Sequence, residues 1–94
     1  MSKLRNSARG QSCTLRLPSC NYNPETVVLA HIRINKFCGI GIKPPDYMGC
    51  FACSNCHDAI DGRIKSDGTY KDILRAQNET LKYWVDAGLI EVAK

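Results

Sequence analysis

Six cysteines and two histidines are the residues of this 94-residue chain whose types and spacing could do chemistry. One cysteine pair stands in the run Cys53-Ser54-Asn55-Cys56, directly before His57, and another, Cys13 and Cys20, lies nearer the N-terminus. Two thiolates separated by two residues can hold one metal ion from a tight turn, and a second pair completes the tetrahedron that Zn²⁺ prefers. The pattern predicts a structural zinc site on Cys13, Cys20, Cys53 and Cys56.

The other two cysteines and the compartment bear on this interpretation. Cys38 and Cys50 fit small buried side chains, and a ligand set with Cys50 in place of Cys20 stays open. No apolar stretch follows the basic start of the chain, so we expect no secretory leader and a cytoplasmic protein. In a reducing compartment a Cys-x-x-Cys pair favours a metal over a disulfide. No apolar run approaches the roughly 20 residues that cross a bilayer, so we expect no membrane contact.

The histidines, His31 and His57, are candidate catalytic groups beside the zinc site. Phosphodiester hydrolysis needs a base that activates water and a cation that stabilises the charge building on the phosphate. Histidine suits the first task because its usual pKa lies near neutrality, and a histidine with an aspartate such as Asp61 suits a divalent ion. The alternatives are a half-buried structural role for His31 and a zinc-ligand or capping role for His57.

The net charge of +4 is unevenly distributed along the chain. Residues 1–45 contain seven Lys and Arg against one acid, giving +6, whereas residues 46–94 contain six against eight, giving −2. A basic half suits a polyanion such as a nucleic acid, because each Lys or Arg near a phosphate releases condensed counterions. A solvated basic surface is the plainer interpretation of the same charge.

The elements of the first half must position Cys13, Cys20 and His31. Residues 1–12 are polar and predict a flexible segment or a short helix. The alternation over 13–20 predicts a short strand that turns at Pro18. A β-branched run over 25–32 predicts a strand that carries His31 at its end.

The second half predicts one more strand and two helices. A loop over 33–49 precedes a short strand at 50–52, and a short helix follows over 54–62. Apolar periodicity predicts a longer helix over 69–87, closed by Gly88 at its C-terminus. The apolar stripe of this helix, expected in the core, consists of Tyr70, Ile73, Leu74, Leu81, Trp84 and Val85.

Three runs of the chain resemble the YbcO-like nucleases of phages and prophages, a group similar to HNH endonucleases. They are Leu29-Ala30-His31-Ile32-Arg33, Lys43-Pro44-Pro45-Asp46 and the run from Ala52 to Asp61. The resemblance extends from about Leu4 to Val92. It implies a single α+β domain over 1–94, zinc-stabilised and HNH-like (treble-clef, ββα-metal), with a C-terminal helix.

The resemblance also implies roles for individual residues. His31 would be the general base, while His57 and Asp61 on the following helix would hold a catalytic ion, Mg²⁺ or another divalent metal. The zinc ligands would be Cys13, Cys20, Cys53 and Cys56. Two positions depart from the HNH pattern: Ala30 stands where an acid or histidine often precedes the base, and the orienting asparagine has no clear match. Asp46 or Asn35 is the expected substitute.

The sequence therefore predicts a metal-dependent endonuclease acting on DNA, with RNA left open. Arg33, Lys36 and Lys43 are the predicted nucleic-acid contacts, and other phage DNA-processing proteins are the predicted partners. The competing hypothesis is a non-catalytic zinc-ribbon module that binds nucleic acid or a protein partner. A third is a structural phage accessory protein with neither activity.

Overall fold

The computed structural model describes residues 3–32, 44–60 and 70–93 of the chain. The architecture is a small α+β domain in which a two-stranded antiparallel sheet is combined with helices. A 3₁₀ turn at Pro24–Thr26 precedes the sheet. The remaining elements, in chain order, are α1 (Lys3–Ser7), β1 (Val28–His31), β2 (Gly49–Ala52), α2 (Ser54–Ile60) and α3 (Tyr70–Asp86).

The hairpin of β1 and β2 places His31 opposite Gly49 at one end and Val28 opposite Ala52 at the other. As predicted, His31 ends its strand, but β1 begins three residues later than the predicted start at residue 25. The delay has a local cause, because Pro24 has no N–H to donate to a neighbouring strand and begins a 3₁₀ turn. The side chain of Asn23 instead accepts a hydrogen bond from the N–H of Glu25, which caps a 3₁₀ turn.

The segment 13–20 does not form the predicted strand. Leu15 and Leu17 are buried, which explains their alternation, but the residue between them, Arg16, lies in the left-handed region with φ +47°. The N–H of Cys20 then donates to the carbonyl of Leu17 at 2.8 Å, so the chain turns around Pro18 as expected. These turns return Cys20 toward Cys13, which an extended strand could not do.

Helix α3 packs against β2, and its buried stripe differs from the predicted one. The buried residues are Ala76, Thr80 and Trp84, whereas Tyr70 and Leu74 are 75% and 62% exposed. Small side chains at 76 and 80 let the helix approach the strand closely. The prediction was therefore wrong for Tyr70, Leu74 and Val85, because apolarity alone does not report which helix face meets the sheet. The other predicted members, Ile73 and Leu81, are partly buried and pack against the core.

The C-terminal end of α3 is fixed by specific backbone contacts, and the predicted closing glycine is confirmed. Gly88 has φ +76°, and the N–H groups of Gly88 and Leu89 donate to the carbonyls of Val85 and Trp84 at 3.1 and 2.8 Å, a Schellman motif.

In the described segments, none of the helices combines the length and apolarity needed to span a membrane.

Candidate metal centre and candidate active site

The four cysteines predicted as zinc ligands come together in the structure. The sulfur atoms of Cys13, Cys20, Cys53 and Cys56 all lie within 4.8 Å of one another. Cys13 and Cys20 flank the turns before β1, Cys53 directly follows β2, and Cys56 lies in the first turn of α2. Four thiols so close together can hold a metal ion.

The geometry of this cysteine cluster fits zinc. Zn–S bonds of about 2.3 Å in a tetrahedron place two sulfurs about 3.8 Å apart, and the Sγ atoms of Cys20 and Cys53 are 3.7 Å apart. Backbone N–H groups point at two of the sulfurs: Tyr22 donates to Cys20 and Cys56 to Cys53, each at 3.4 Å. Such donors favour the thiolate, the form that binds metal.

The thiols of the cluster differ in acidity. Burial tends to raise the pKa of Cys53, but backbone hydrogen bonds from Cys56 and Asn21 outweigh it and lower that pKa to about 7. Burial raises the pKa of Cys20 to about 11. One thiolate therefore forms readily, while a cluster of four needs a cation to offset the accumulated charge.

The alternative ligand set with Cys50 in place of Cys20 does not match the structure. Cys50 is fully buried in β2 but lies outside the cysteine cluster. Burial raises its pKa to about 12, so it is held as a neutral thiol. Cys38 lies outside the described residues.

Polar side chains join the two halves of the cysteine cluster. The amide of Asn21 donates to the hydroxyl of Ser54 at 3.1 Å, and the amide of Asn55 donates to the carbonyl of Ser19 at 3.0 Å. The hydroxyl of Thr26 accepts from the N–H of Ser54 at 3.2 Å. The loop carrying Cys20 is thus attached to the start of α2 independently of a metal.

The candidate base, His31, is paired with Asp46. Its Nε2 lies 2.8 Å from Oδ1 of Asp46, and the two side chains are 12% and 22% exposed. Asp46 lies in a turn that brings its carboxylate to His31, and in this turn the N–H of Met48 donates to the carbonyl of Pro45 at 2.9 Å. The N–H of Ile32 then donates to the carbonyl of Met48 at 2.8 Å and continues the hairpin past His31. Of the two expected substitutes for the orienting asparagine, Asp46 contacts His31, and Asn35 lies outside the described residues.

Arg5 completes this group and was missed by the sequence analysis. Its Nη2 lies 3.4 Å from the same Oδ1 of Asp46. Arg5 belongs to α1, 41 residues before Asp46 in the chain, and no local pattern connects the two. Only its basic character, one of seven such residues in the first half, was a signal.

The other predicted site residues have less structural support. His57 lies partly buried on α2, where its N–H donates to the carbonyl of Cys53 at 2.9 Å. Within the described ranges, the cysteine cluster is the only group of three or more potential metal ligands, so the catalytic ion on His57 and Asp61 stays a prediction. The predicted residues that lie outside the described ranges are Arg33, Asn35, Lys36, Lys43 and Asp61.

Known proteins resemble this chain over nearly its whole length. A family model described as "Putative nuclease YbcO" matches residues 2–88. Proteins of that name from Escherichia coli (strain K12) and from Enterobacteria phage 82 are each 44% identical over 95 residues, covering 97% of this chain and 99% of their own. A solved structure described as "a putative bacteriophage protein" from Escherichia coli K-12 MG1655 superposes with a TM-score of 0.71 at 40% identity, covering 92% of this chain and 100% of the other.

Proposed function

Since the chain belongs to the YbcO family, whose relatives are named as nucleases, we propose that it is a metal-dependent endonuclease of the HNH type that cleaves DNA. The observation that supports this most directly is the His31–Asp46 pair, 2.8 Å apart at the end of β1. The chain order β1, β2, α2 agrees with a ββα-metal site. The phage origin of a relative fits a role beside other phage DNA-processing proteins.

In the proposed mechanism Nδ1 of His31 is the base atom. An ionised carboxylate only accepts hydrogen bonds, so the contact with Asp46 requires the proton on Nε2 of His31. The other ring nitrogen, Nδ1, then carries the lone pair that takes a proton from the attacking water. Asp46 also stabilises the imidazolium that forms, as a carboxylate does for a histidine base in hydrolases.

Metal ions have two separate roles in this proposal. Zn²⁺ on the four cysteines is structural, because a closed four-thiolate site has no open position for substrate. A second divalent ion such as Mg²⁺, when bound, stabilises the negative charge that builds on the phosphate and the leaving oxygen. We assign its binding to His57 and Asp61, and contact with the phosphate backbone to Arg33, Lys36 and Lys43.

Nicking of supercoiled plasmid by zinc-loaded protein tests the proposal, with Mg²⁺ or Mn²⁺ added. We expect His31→Ala to lower the nicking rate by about 10²- to 10⁴-fold, the usual contribution of a general base. The variant should stay folded and its zinc content should match that of the parent, because His31 is remote from the cysteine cluster along the hairpin. A brief EDTA exposure, followed by a zinc measurement, separates the catalytic ion from the structural one.

Two outcomes would contradict the proposal. Equal nicking by His31→Ala would remove His31 as the base. A folded, zinc-loaded parent that binds DNA in a salt-dependent way but never nicks it would be the non-catalytic zinc-ribbon module instead. An RNA strand of matched sequence, assayed in parallel, decides between the two nucleic acids.

A further inference from the structure

One carboxylate oxygen lies between two basic side chains that come from distant parts of the chain. Oδ1 of Asp46 is 2.8 Å from Nε2 of His31 and 3.4 Å from Nη2 of Arg5. The ring nitrogen and the guanidinium nitrogen are therefore at most 6.2 Å apart, the sum of the two distances. Arg5 thus belongs to the immediate surroundings of the candidate base.

Helix α1, which carries Arg5, is fixed to the C-terminal half of α3. The indole N–H of Trp84, a fully buried residue, donates to the hydroxyl of Ser7 at 2.8 Å. That hydroxyl in turn donates to the carbonyl of Leu4 at 2.6 Å. Beyond the end of α1, the amide of Gln11 donates to the hydroxyl of Tyr83 at 3.2 Å. The backbone at residue 5 is therefore held in place, and Arg5 reaches Asp46 from a fixed position.

We propose that Arg5 is a positioning residue that acts on His31 through Asp46. The guanidinium keeps the Asp46 carboxylate ionised, since an adjacent positive charge favours the charged form. It also restricts rotation of the carboxylate, so that Oδ1 stays aimed at the Nε2–H of His31. Through this contact Arg5 sets the tautomer and the ring orientation of His31. The catalytic part of the inference rests on the function proposed above.

Stability does not explain the Arg5–Asp46 contact. The Arg5 side chain is 49% exposed, and ion pairs that open to solvent contribute little to folding. Helix α1 is already attached by the Trp84–Ser7 hydrogen bond. The contact is also long for a guanidinium–carboxylate bond, at 3.4 Å against the usual range of about 2.7–2.9 Å. A cation beside this carboxylate also acts on the histidine that the same oxygen contacts.

Nitrogen-15 NMR of the histidine rings in the full zinc-loaded chain tests the proposal. The chain has two histidines, so a His31→Gln spectrum assigns both. The variants are Arg5→Gln and Arg5→Lys, and the matched control is Arg9→Gln, which removes the same charge from an exposed neighbouring site. The parent, the two Arg5 variants and Arg9→Gln are also assayed for plasmid nicking, with kcat and KM determined separately.

We expect Arg5→Gln to reduce the population of the Nε2–H tautomer of His31 and to speed exchange of that proton with water. The kcat should fall by up to about 100-fold, the scale reported for misplacing a reacting group by about 1 Å, while KM changes little. Arg5→Lys should recover part of both effects because it restores the charge without the planar fork. The Arg9→Gln protein should match the parent in its His31 spectrum and in kcat.

The result that overturns the proposal is an unchanged His31 spectrum in Arg5→Gln. If kcat fell while the spectrum stayed the same, Arg5 would contact the substrate directly, and the positioning role would again be wrong. If the parent never nicks DNA yet Arg5→Gln alters the His31 spectrum, the positioning role holds and the failure belongs to the proposed nuclease activity.

Discussion

The two ends of the β1–β2 hairpin differ in almost every physical respect. At one end, β2 passes directly into Cys53 and the buried cysteine cluster. At the other end, Gly49 faces His31, whose partner Asp46 is partly open to solvent. Gly49 and Cys53 are four positions apart along the chain, which is about 13 Å of strand. A cluster of sulfur ligands therefore lies at one end and a polar pair that is partly open to water at the other.

The contrast between the two ends shows how a small domain can keep the residues that stabilise it apart from those proposed to act on a substrate. A chain of this size buries a limited core, and a bound metal can supply the missing free energy of folding. The cysteine end needs fixed ligands for that purpose, and three of its four cysteines are buried. In the proposed function the histidine end needs access for water and substrate, and it can tolerate exposure because short strands connected to the cysteine cluster hold it in place.

The largest expected effect comes from breaking the cysteine end. Zinc binding in small peptides is worth on the order of 10 kcal/mol, which is comparable to the whole stability of a domain. We therefore expect Cys56→Ser to lose zinc and cooperative unfolding together, as seen by metal analysis and circular dichroism. Prolonged chelation of the parent should have the same result.

Cys50→Ala is the matched control for this experiment. Cys50 and Cys56 are both fully buried, but only Cys56 belongs to the cluster. We expect Cys50→Ala to keep its zinc and to lose about 1 kcal/mol, the cost typical of a modest core truncation. If both variants lost zinc equally, the assignment of ligands from the cluster geometry would be wrong.

A smaller effect should follow from weakening the contact between α3 and β2, the strand that joins the two ends. The N–H of Phe51, in the middle of β2, donates to the hydroxyl of Thr80 at 3.1 Å in the buried face of α3. Thr80→Val keeps the shape but leaves that N–H without its partner, a cost of about 1–3 kcal/mol. Chemical denaturation measures the loss, and zinc content should stay at one ion.

The exposed neighbour Asn78 supplies the comparison for Thr80. Asn78→Ala should change the free energy of unfolding by at most about 0.5 kcal/mol, as most surface substitutions do. Equal losses in the two variants would mean that the Thr80–Phe51 hydrogen bond contributes nothing measurable, and that α3 and β2 are held together by apolar packing alone.

The smallest expected effect concerns an ion pair beside the cysteine end. Nη1 and Nη2 of Arg16 donate to the two carboxylate oxygens of Glu79 at 2.8 and 2.7 Å, and this hydrogen bonding lowers the pKa of Glu79. A lowered pKa keeps the carboxylate ionised at neutral pH, so the pair is stabilising there and is lost only as the pH falls through that lowered value.

We expect Glu79→Gln to cost less than about 1 kcal/mol at neutral pH and low salt, because the pair is exposed and screened by water. The difference from the parent should shrink in 0.5 M salt, roughly three times the physiological ionic strength, where surface charges are screened further. A loss that does not depend on salt would show that Glu79 acts through packing or helix propensity instead.

The elements that the sequence predicted well are those with a strong local signal. The helix at 70–86, its closing Gly88 and the strand ending at His31 all depend on periodicity or on a single conformational requirement. The strand predicted over 13–20 was wrong because the buried alternation of Leu15 and Leu17 is compatible with a series of turns. The chain turns there at Arg16 and Pro18, and the turns bring Cys20 back toward Cys13.

The sequence alone predicted which cysteines could share a metal ion, which histidine could act as a base, and which family the chain resembles. Residue type and short-range spacing carry that information, because ligand preference and turn geometry are local properties. Only the tertiary structure decided that α3 presents Ala76, Thr80 and Trp84 to the sheet, that Cys50 stays outside the cysteine cluster, and that Arg5 and Asp46 meet at one oxygen. These contacts join residues far apart in the chain, and their formation depends on how complete elements pack against one another.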